Sequence, residues 1–240
     1  MDSEKMALSN FDRHLNNNPY PGRGLIIGKS GNQNWVLIYW IMGRSSNSRN
    51  RRFVNEGGVL RTVPIDYSKV TDPTNIIYEA MLELRNNYIV SNGDQTRTVY
   101  EGIKKGISFP DTLAERERET DAPNFTPRIS GMLSLTDKKA VISLSILKAN
   151  PIDPAYTDRF FYQPAIPREG YGFGLTTYQG DGDPLPSFSG DPLLFPCQGS
   201  AEEILETYWG GLNSENRVAL AVKEVPSAGL GSRILIKNQF

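Results

Sequence analysis

The sequence predicts an α+β protein built on antiparallel β-sheet. Short segments rich in apolar and β-branched residues follow one another in hairpins, and few helical segments separate them in the strand–helix–strand order of a parallel sheet. The chain has 240 residues, of which 38% are hydrophobic, enough for one sizeable core. We therefore expect a single domain over residues 20–240, preceded by a polar, Asn-rich extension or short helix over residues 1–19.

The first predicted strands are apolar runs separated by turn residues. Residues 23–29 and 35–42 contain short apolar runs, and the Gly and Asn residues between them suit a hairpin turn, so the two strands should pair antiparallel. Residues 57–65 form a further strand in which apolar and polar residues alternate, and a loop with Pro73 follows.

Residues 76–93 fit two structures. The apolar positions of 76–84 would lie on one face of a helix, whereas the polar residues 85–87 between two apolar runs suit a hairpin. Because the segment is short, we predict two strands, 76–84 and 88–93.

The rest of the chain predicts further strands and the helices. The strands are residues 126–135, 138–147, 159–166, 170–180, 217–225 and 232–240. A helix is predicted over 94–105, a second over 110–119, which opens with Pro110 and an acid, and a third over 200–212, which has a Ser cap, acids in its first turn and a Gly–Gly stop.

Composition excludes several function classes. The net charge of -1 provides no global field for a nucleic acid or an anionic membrane, so we expect neither partner. His14 and Cys197 are the single histidine and the single cysteine, too few for a zinc cage or a Cys–His pair, although magnesium held by carboxylates and substrate phosphate stays open. Without a signal segment or an apolar span, a cytoplasmic protein is expected.

An arginine-rich segment directly follows the apolar run 35–41. It contains Arg44, Arg49, Arg51 and Arg52 among small Ser and Asn residues. A guanidinium group matches a phosphate or carboxylate in a bidentate manner, and short polar side chains add hydrogen bonds without blocking approach. The segment therefore indicates an anion site, with a solvated turn as the alternative.

Three further segments carry polar residues. Residues 90–96 run from a strand into a helix start, where an anion could dock or where Asn92 could simply cap the chain. The alternating charges of residues 115–119 are typical of a solvated helix. Glu119 and Asp121 fall where this predicted helix gives way to a loop, and either could act as a general acid or base in a suitable pocket. Residues 172–192 form a long Gly/Pro/Asp-rich loop, the kind of loop that tends to carry function.

In this order the motifs resemble the archaeal-type IMP cyclohydrolase family. YPGRGLIIG resembles that family's opening strand, RSSNSRNR its Ser/Arg-rich segment, YIVSNGDQT its Val-Ser-Asn-Gly motif, and FTPRISG its Thr-Pro-Arg motif. The N-terminal extension, one extra residue between the acid and the Thr-Pro-Arg motif, and the loop at 179–192 depart from the family pattern. We take these departures to indicate a bacterial homologue.

The resemblance implies a four-layer α-β-β-α sandwich of mainly antiparallel sheets, like that of N-terminal nucleophile hydrolases but without self-cleavage. Tyr20 and Pro21, expected to begin the first strand, offer no nucleophile. The implied reaction closes 5-formamidoimidazole-4-carboxamide ribonucleotide to IMP with loss of water in purine biosynthesis. It needs no metal and no redox cofactor, and its partner is a small nucleotide.

The resemblance also suggests which residues act. Glu119 is the expected proton relay, with Asp121 second, and Arg51 and Tyr78 are the other expected catalytic residues. Which arginine binds the 5′-phosphate and which polarises the formyl oxygen stays open. The expected substrate-binding residues are Arg23, Arg44, Asn47, Asn50, Asn92, Thr126, Arg128 and Tyr178.

Other functions are compatible with the same sequence. A nucleotide-binding protein without catalysis would bind IMP but have no activity to lose. An amide hydrolase on the same fold would need processing to expose a nucleophile such as Ser30 or Ser45, which an intact-mass measurement would detect. A cyclohydrolase acting on a related imidazole ribonucleotide is a third alternative, and a homo-oligomer is compatible with each.

Overall fold

A computed structural model describes residues 2–70, 77–136, 139–227 and 231–240. The α-helices are α1 (Ser3–Phe11), α2 (Ser46–Arg49), α3 (Gln95–Lys104), α4 (Phe109–Thr112) and α5 (Ala201–Gly211). The strands are β1 (Gly24–Lys29), β2 (Trp35–Met42), β3 (Arg52–Glu56), β4 (Val59–Val63), β5 (Tyr78–Leu84), β6 (Asn87–Ser91), β7 (Arg128–Leu135), β8 (Ala140–Ala149), β9 (Thr157–Tyr162), β10 (Tyr171–Thr176), β11 (Leu193–Pro196), β12 (Arg217–Val225) and β13 (Arg233–Asn238).

The strands form two antiparallel sheets. One has the order β11-β10-β1-β2-β12-β13 and the other the order β3-β4-β5-β6-β7-β8-β9. Each strand of the second sheet pairs with its neighbour in sequence, as expected for a chain of hairpins. The predicted α+β class with antiparallel sheets and few helices is thereby confirmed.

The two sheets share the largest apolar core. Successive side chains of a strand point to opposite faces, so Leu25 and Ile27 of β1 lie in the core between the sheets, whereas Ile26 lies on the other face. Every residue of β2 is buried, because both faces of this strand are covered. That double burial explains why residues 35–42 are a continuous apolar run instead of an alternating one.

Helices cover the outer faces of both sheets. Ile204 and Tyr208 of α5 pack with Ile26 and its neighbours, and the ring of Phe11 at the end of α1 meets Tyr208 edge to face at 5.1 Å. On the other sheet, Val99 of α3 packs with a smaller cluster that includes residues of β6, β7 and α4. Each sheet therefore buries apolar side chains on both of its faces.

The N-terminal segment is helical and packs on the first sheet. Asp2 caps α1, a single π-type turn over Asp12–Asn16 follows, and Ala7 and Leu15 are fully buried. The Asn10 side-chain amide donates a hydrogen bond to the Leu194 carbonyl of β11, and that of Asn216 donates to the Pro19 carbonyl. Leu15 thus belongs to the apolar cluster that Ile26 forms with α5 on the outer face of the first sheet, so the segment packs on the fold instead of extending into solvent.

Several local predictions were wrong. The helix expected over 110–119 ends at Thr112, and residues 116–120 have no regular structure. Tertiary contacts replace helical ones there, since Arg116 binds Asp94 and Arg118 donates to the Pro154 carbonyl. The strands β3 and β11 were not predicted, and β1 begins at Gly24, so Tyr20 and Pro21 precede it.

The hairpin predicted over 76–93 is confirmed for its described part. β5 and β6 pair antiparallel, with Met81 opposite Val90 and Leu84 opposite Asn87. Residue 76 and most of the loop predicted around Pro73 lie outside the described residues. This segment forms two strands instead of a helix because alternate residues of the strands reach the core between the sheets on one face and the cluster under α3 on the other.

Candidate active site

Four segments meet around one cavity of about 330 Å³, a volume typical of small-molecule sites. They are the turn before β1, the end of β2 with the arginine-rich segment, the loop before β7, and the loop after β10. The lining residues are Tyr20, Gly22, Arg23, Met42, Arg44, Ser45, Ser48, Arg51, Asp121, Asn124, Thr126, Thr177, Tyr178 and Leu185.

A tight turn at Gly22 brings the first segment against the last. Gly22 has a φ of +72°, and a Cβ atom at this position would lie 2.2 Å from Thr177 Oγ1 and 2.5 Å from the ring of Tyr178. The Arg23 amide donates to Thr177 Oγ1 at 3.1 Å, and the Tyr178 amide donates to the Pro21 carbonyl at 3.2 Å. A glycine is therefore needed where these two chains cross.

Replacing Gly22 with alanine is expected to lower the free energy of unfolding by about 2–4 kcal/mol. Left-handed strain costs about 1–2 kcal/mol, and the clash with Thr177 and Tyr178 adds to it. Urea unfolding measures the stability change. Gly106→Ala is the matched control, because Gly106 has a φ of +79° but nothing within 4 Å of the added Cβ. An equal cost for both variants would contradict the packing at Gly22.

A buried ion pair lies behind the cavity wall. Arg23 Nη1 donates to Glu119 Oε1 at 2.6 Å, and the Glu119 residue is only 3% exposed. Burial raises the pKa of the Glu119 carboxyl above its usual value, although the charges of Arg23 and Arg128 oppose the rise. A buried carboxyl with a raised pKa next to a cavity suits proton transfer near neutral pH.

The irregular segment after α4 positions Glu119. The Glu119 amide donates to the Thr126 carbonyl at 3.0 Å, and Arg118 Nη1 donates to the Glu119 carbonyl at 3.2 Å. The Arg118 guanidinium also lies 4.3 Å from the centre of the Phe125 ring, whose residue has a φ of +43°. Both main-chain groups of Glu119 are therefore held, and its side chain points toward Arg23.

The arginine-rich segment places Arg51 in the buried part of the cavity. Its residue is 4% exposed, and its Nε donates to the Ser48 carbonyl at 2.8 Å. Ser45 and Ser48 form a reciprocal capping box that fixes the short helix α2 just before it. Burial, and then the positive charge of Arg23, lower the pKa of Arg51. A second guanidinium group next to Arg23 makes this end of the cavity unfavourable for cations and favourable for anions.

Two tyrosines belong to the same buried region. The hydroxyl groups of Tyr39 and Tyr78 lie 2.7 Å apart, and both phenols interact electrostatically with Arg23 and Arg51. Burial raises the pKa of Tyr39 well above its usual value. The pair can therefore supply hydroxyl groups near the guanidinium groups.

A stack of three side chains forms the more exposed wall. The Arg44 guanidinium lies 4.9 Å from the centre of the Tyr20 ring, and the Tyr20 and Tyr178 rings are stacked with centres 6.0 Å apart. The Arg44 side chain is 38% exposed and binds the Asp181 carboxylate and the Gly182 carbonyl. Arg44 therefore lies at the mouth of the cavity, and Tyr178 lies deeper along the same wall.

The structure brings most of the predicted residues together. Arg23, Arg44, Arg51, Thr126 and Tyr178 line the cavity. Glu119 and Tyr78 lie behind the lining: Glu119 contacts Arg23, and Tyr78 contacts Tyr39 and interacts electrostatically with Arg23 and Arg51. Asp121, the second choice for the proton relay, also lines the cavity.

Four predicted binding residues lie elsewhere. The side chain of Asn50 pairs with the amide and carbonyl of Asp66, and that of Asn92 bonds the Pro127 carbonyl and the Ile129 amide. Arg128 binds Asp94 and Gln95, and Asn47 is exposed to solvent on α2. None of the four lines the cavity, although the charge of Arg128 acts on Glu119 behind it.

Sequence reasoning missed four lining residues besides the turn glycine and Met42. They are Tyr20, Asn124, Thr177 and Leu185, whereas Ser45 and Ser48 belong to the small polar residues of the predicted anion site. Tyr20 and Gly22 belong to a Tyr-Pro-Gly-Arg motif that does mark a tight turn, but Asn124 and Leu185 come from loops whose partners are far apart in sequence. The Asn124 side chain accepts a hydrogen bond from the Leu185 amide at 2.9 Å and joins those two loops.

Two further features concern metal ions and membranes. Within residues 2–70, 77–136, 139–227 and 231–240, no group of three or more His, Cys, Asp and Glu side chains could hold a metal ion. No helix in that part of the chain is long and apolar enough to cross a membrane.

Comparison with known proteins gives consistent matches. Residues 20–227 match the family described as "IMP cyclohydrolase-like protein". The chain is 28% identical over 127 residues to the IMP cyclohydrolase of Haloquadratum walsbyi, 32% over 130 residues to that of Methanothrix thermoacetophila, and 26% over 163 residues to that of Methanopyrus kandleri.

The matches to these relatives are partial in length. They cover 51%, 52% and 66% of this chain, and 61%, 62% and 75% of the three relatives in the same order. All three relatives come from archaea, and the expected bacterial origin of this chain stays a prediction.

Proposed function

The chain belongs to the IMP cyclohydrolase-like family, and we propose that it closes 5-formamidoimidazole-4-carboxamide ribonucleotide to IMP with loss of water in purine biosynthesis. The observation that carries this proposal is the buried cluster of Arg51, Arg23 and Glu119 at one cavity. It combines two guanidinium groups that favour an anion or oxyanion with a buried carboxyl group whose pKa is raised.

The exposure of the arginines suggests how the nucleotide lies. A phosphate keeps much of its hydration, and the half-exposed guanidinium group of Arg44 can bind it at the mouth in a bidentate manner. The imidazole then lies in the buried part, close to Arg51 and Glu119. In this orientation Arg44 binds the 5′-phosphate and Arg51 polarises the formyl oxygen.

The reaction joins the carboxamide nitrogen to the formyl carbon and expels the formyl oxygen. The carboxamide nitrogen attacks the formyl carbon of the same molecule and gives up one of its two protons, the formamide nitrogen gives up its single proton as it forms a double bond to that carbon, and the former formyl oxygen takes both protons and leaves as water. Holding the two groups in contact supplies much of the acceleration. Arg51, assisted by the hydroxyl group of Tyr78, stabilises the developing oxyanion, and Glu119 transfers protons from nitrogen to the departing hydroxyl group.

We also propose that the fold is the four-layer α-β-β-α sandwich of N-terminal nucleophile hydrolases. The support is the apolar core shared by the two sheets and the helices packed on both outer faces. Hydrolase chemistry has less support. Ser30 is buried and does not line the cavity, and the hydroxyl group of Ser45 bonds Ser48 in the cap of α2.

Replacing Arg44 with alanine should raise the KM for the formylated ribonucleotide about tenfold and change kcat by less than about threefold. A phosphate contact at the mouth is made equally in the ground state and the transition state, so its loss weakens binding without slowing chemistry. Steady-state kinetics gives both constants. Measured at two salt concentrations, the KM of the wild type should change more with salt than the KM of Arg44→Ala, because the variant lacks the charged contact. A drop in kcat with unchanged KM would contradict the assigned orientation.

The proposed reaction is tested with the purified protein and 5-formamidoimidazole-4-carboxamide ribonucleotide. IMP formation is followed by ultraviolet absorbance against a sample without enzyme. Turnover well above the uncatalysed rate supports ring closure. If IMP binds but no closure above background occurs, the protein binds the nucleotide without catalysing this reaction.

A further inference from the structure

A chain of three polar side chains runs along the cavity wall. The Asp121 carboxylate accepts two hydrogen bonds from Thr126, at 2.7 Å from its amide and at 2.5 Å from its hydroxyl group. The same hydroxyl group lies 2.5 Å from the hydroxyl group of Tyr178. All three residues line the cavity.

The direction of these hydrogen bonds is fixed by the number of protons. A carboxylate can only accept, so the single hydroxyl proton of Thr126 is donated to Asp121. The only proton left for the contact between Thr126 and Tyr178 is that of the phenol. Tyr178 therefore donates to Thr126, and the remaining hydrogen-bonding capacity of its oxygen is that of an acceptor.

The position and charge state of this acceptor are also fixed. The Tyr178 ring stacks on Tyr20, its residue is 5% exposed, and it forms an isolated β-bridge with Ser187. Burial raises the pKa of Tyr178, so the phenol keeps its proton at physiological pH. An ordered, neutral oxygen with its own proton already donated selects ligand groups that can donate a hydrogen bond.

We infer that Tyr178 accepts a hydrogen bond from a ribose hydroxyl group of the nucleotide, so that the site selects ribonucleotides over deoxyribonucleotides through the ordered Asp121–Thr126–Tyr178 chain. This inference rests on the proposed function, because it takes the ligand to be a nucleoside 5′-monophosphate. Tyr178 contacts the substrate, whereas Asp121 and Thr126 are positioning residues that order the hydroxyl group of Tyr178.

The order of groups along the wall identifies the sugar as the donor. Arg44 at the mouth lies against Tyr20, and Tyr20 lies against Tyr178, so Tyr178 is one ring deeper than the phosphate-binding position. In a nucleoside monophosphate the sugar is the group that follows the phosphate. The buried end beyond it, near Arg23 and Glu119, is left for the base.

The test is calorimetric binding of IMP, 2′-deoxy-IMP and 3′-deoxy-IMP to the full chain. One deoxy analogue should bind the wild type about five- to tenfold more weakly than IMP, the effect of one hydrogen bond. In Tyr178→Phe, IMP should bind as weakly as that analogue does, and the two should no longer differ. The other deoxy analogue should bind the wild type as tightly as IMP does, so the analogue that binds weakly identifies which hydroxyl group is the donor.

Two variants serve as controls. Tyr20→Phe removes the hydroxyl group of the stacked neighbour, which bonds the Met42 carbonyl, and should preserve the preference for IMP. Thr126→Ser keeps the hydroxyl group that orders Tyr178 and should also preserve it, whereas Thr126→Val should reduce it. Melting temperatures establish that each variant is folded before binding is compared.

The outcomes separate the inference from the proposed function. If the wild type binds all three nucleotides equally, or if Tyr178→Phe still prefers IMP, the inference is overturned while ring closure remains supported. If the wild type neither binds IMP nor closes the formylated ribonucleotide above the uncatalysed rate, the proposed function fails and the inference fails with it. A preference lost equally in Tyr20→Phe and Tyr178→Phe would also overturn it, because general packing would then account for the effect.

Discussion

Replacing Glu119 with glutamine should lower kcat for ring closure by about 10²- to 10⁴-fold, the usual contribution of a general acid–base group. Glutamine keeps the shape of the side chain and can still accept a hydrogen bond from Arg23, but it cannot exchange a proton. Affinity for IMP should change by less than about tenfold, since glutamine keeps the hydrogen bond that holds Arg23 in the cavity lining. Steady-state kinetics and calorimetric binding of IMP give the two numbers.

The pH profile distinguishes proton transfer from a purely structural role. Burial raises the pKa of Glu119 above its usual value, so the carboxylate needed as a base is lost as the pH falls through that raised pKa. The wild-type kcat/KM should therefore decline on the acid side at a pH above the usual value for glutamate. The residual activity of Glu119→Gln should lack this decline.

Asp121→Asn is the comparison that decides between the two acids. Asp121 also lines the cavity, but its carboxylate is occupied by two hydrogen bonds from Thr126. Its replacement should affect nucleotide affinity more than kcat. If Asp121→Asn abolishes turnover and Glu119→Gln does not, the proton relay is Asp121 and our assignment is wrong.

Replacing Arg51 with alanine should lower kcat/KM by about 10²- to 10³-fold, the range seen when one oxyanion-stabilising donor is removed. Arg51 is buried next to Arg23, and burial and the charge of Arg23 lower its pKa. Because the oxyanion develops only as the carboxamide nitrogen attacks, the contribution of Arg51 should be larger in the transition state than in the ground state. The assay is the same ring-closure measurement, with IMP binding as a test of the folded site.

Two neighbouring substitutions sharpen the Arg51 experiment. Arg51→Lys should restore little activity, because an ammonium group cannot reproduce the planar fork that is oriented by the hydrogen bond of Nε to the Ser48 carbonyl. Arg52→Ala is the control, since Arg52 is exposed at the start of β3 and does not line the cavity. Equal losses in Arg51→Ala and Arg52→Ala would indicate a general electrostatic effect instead of a specific contact.

Local signals in the sequence predict the strands and helices that local physics determines. The continuous apolar run of β2 is buried on both faces, and α5 begins at the Ser200 cap with its reciprocal bond to Glu203, as the sequence indicates. Both elements depend on residues close in the sequence, so pattern and capping suffice to find them.

The segment after α4 could not be predicted in the same way. Residues 115–119 alternate in charge and resemble a solvated helix, yet the buried guanidinium group of Arg118 and the buried carboxyl group of Glu119 hold this segment in an irregular conformation. Their partners, Pro154 and Arg23, are distant in sequence. Only the assembled fold brings them together, so no local pattern could indicate it.

The candidate site also has features that a local pattern indicates and features that it does not. Arg44 and Arg51 of the arginine-rich segment line the cavity. The sequence does not distinguish Arg51 from Arg49, whose side chain bonds the Gly43 carbonyl and Asn216. Likewise, Asn92 bonds the backbone of β7 and the residue before it. A polar side chain that satisfies the backbone and one that faces a ligand look alike in a sequence.

A crystal structure of the protein with bound IMP would test the central claim most directly. We predict that the 5′-phosphate lies at Arg44, that the ribose lies beside Tyr178, and that the base lies in the buried end near Arg51 and Glu119. Nucleotide bound outside this cavity, or bound with the phosphate at Arg51 and the base at the mouth, would contradict the account.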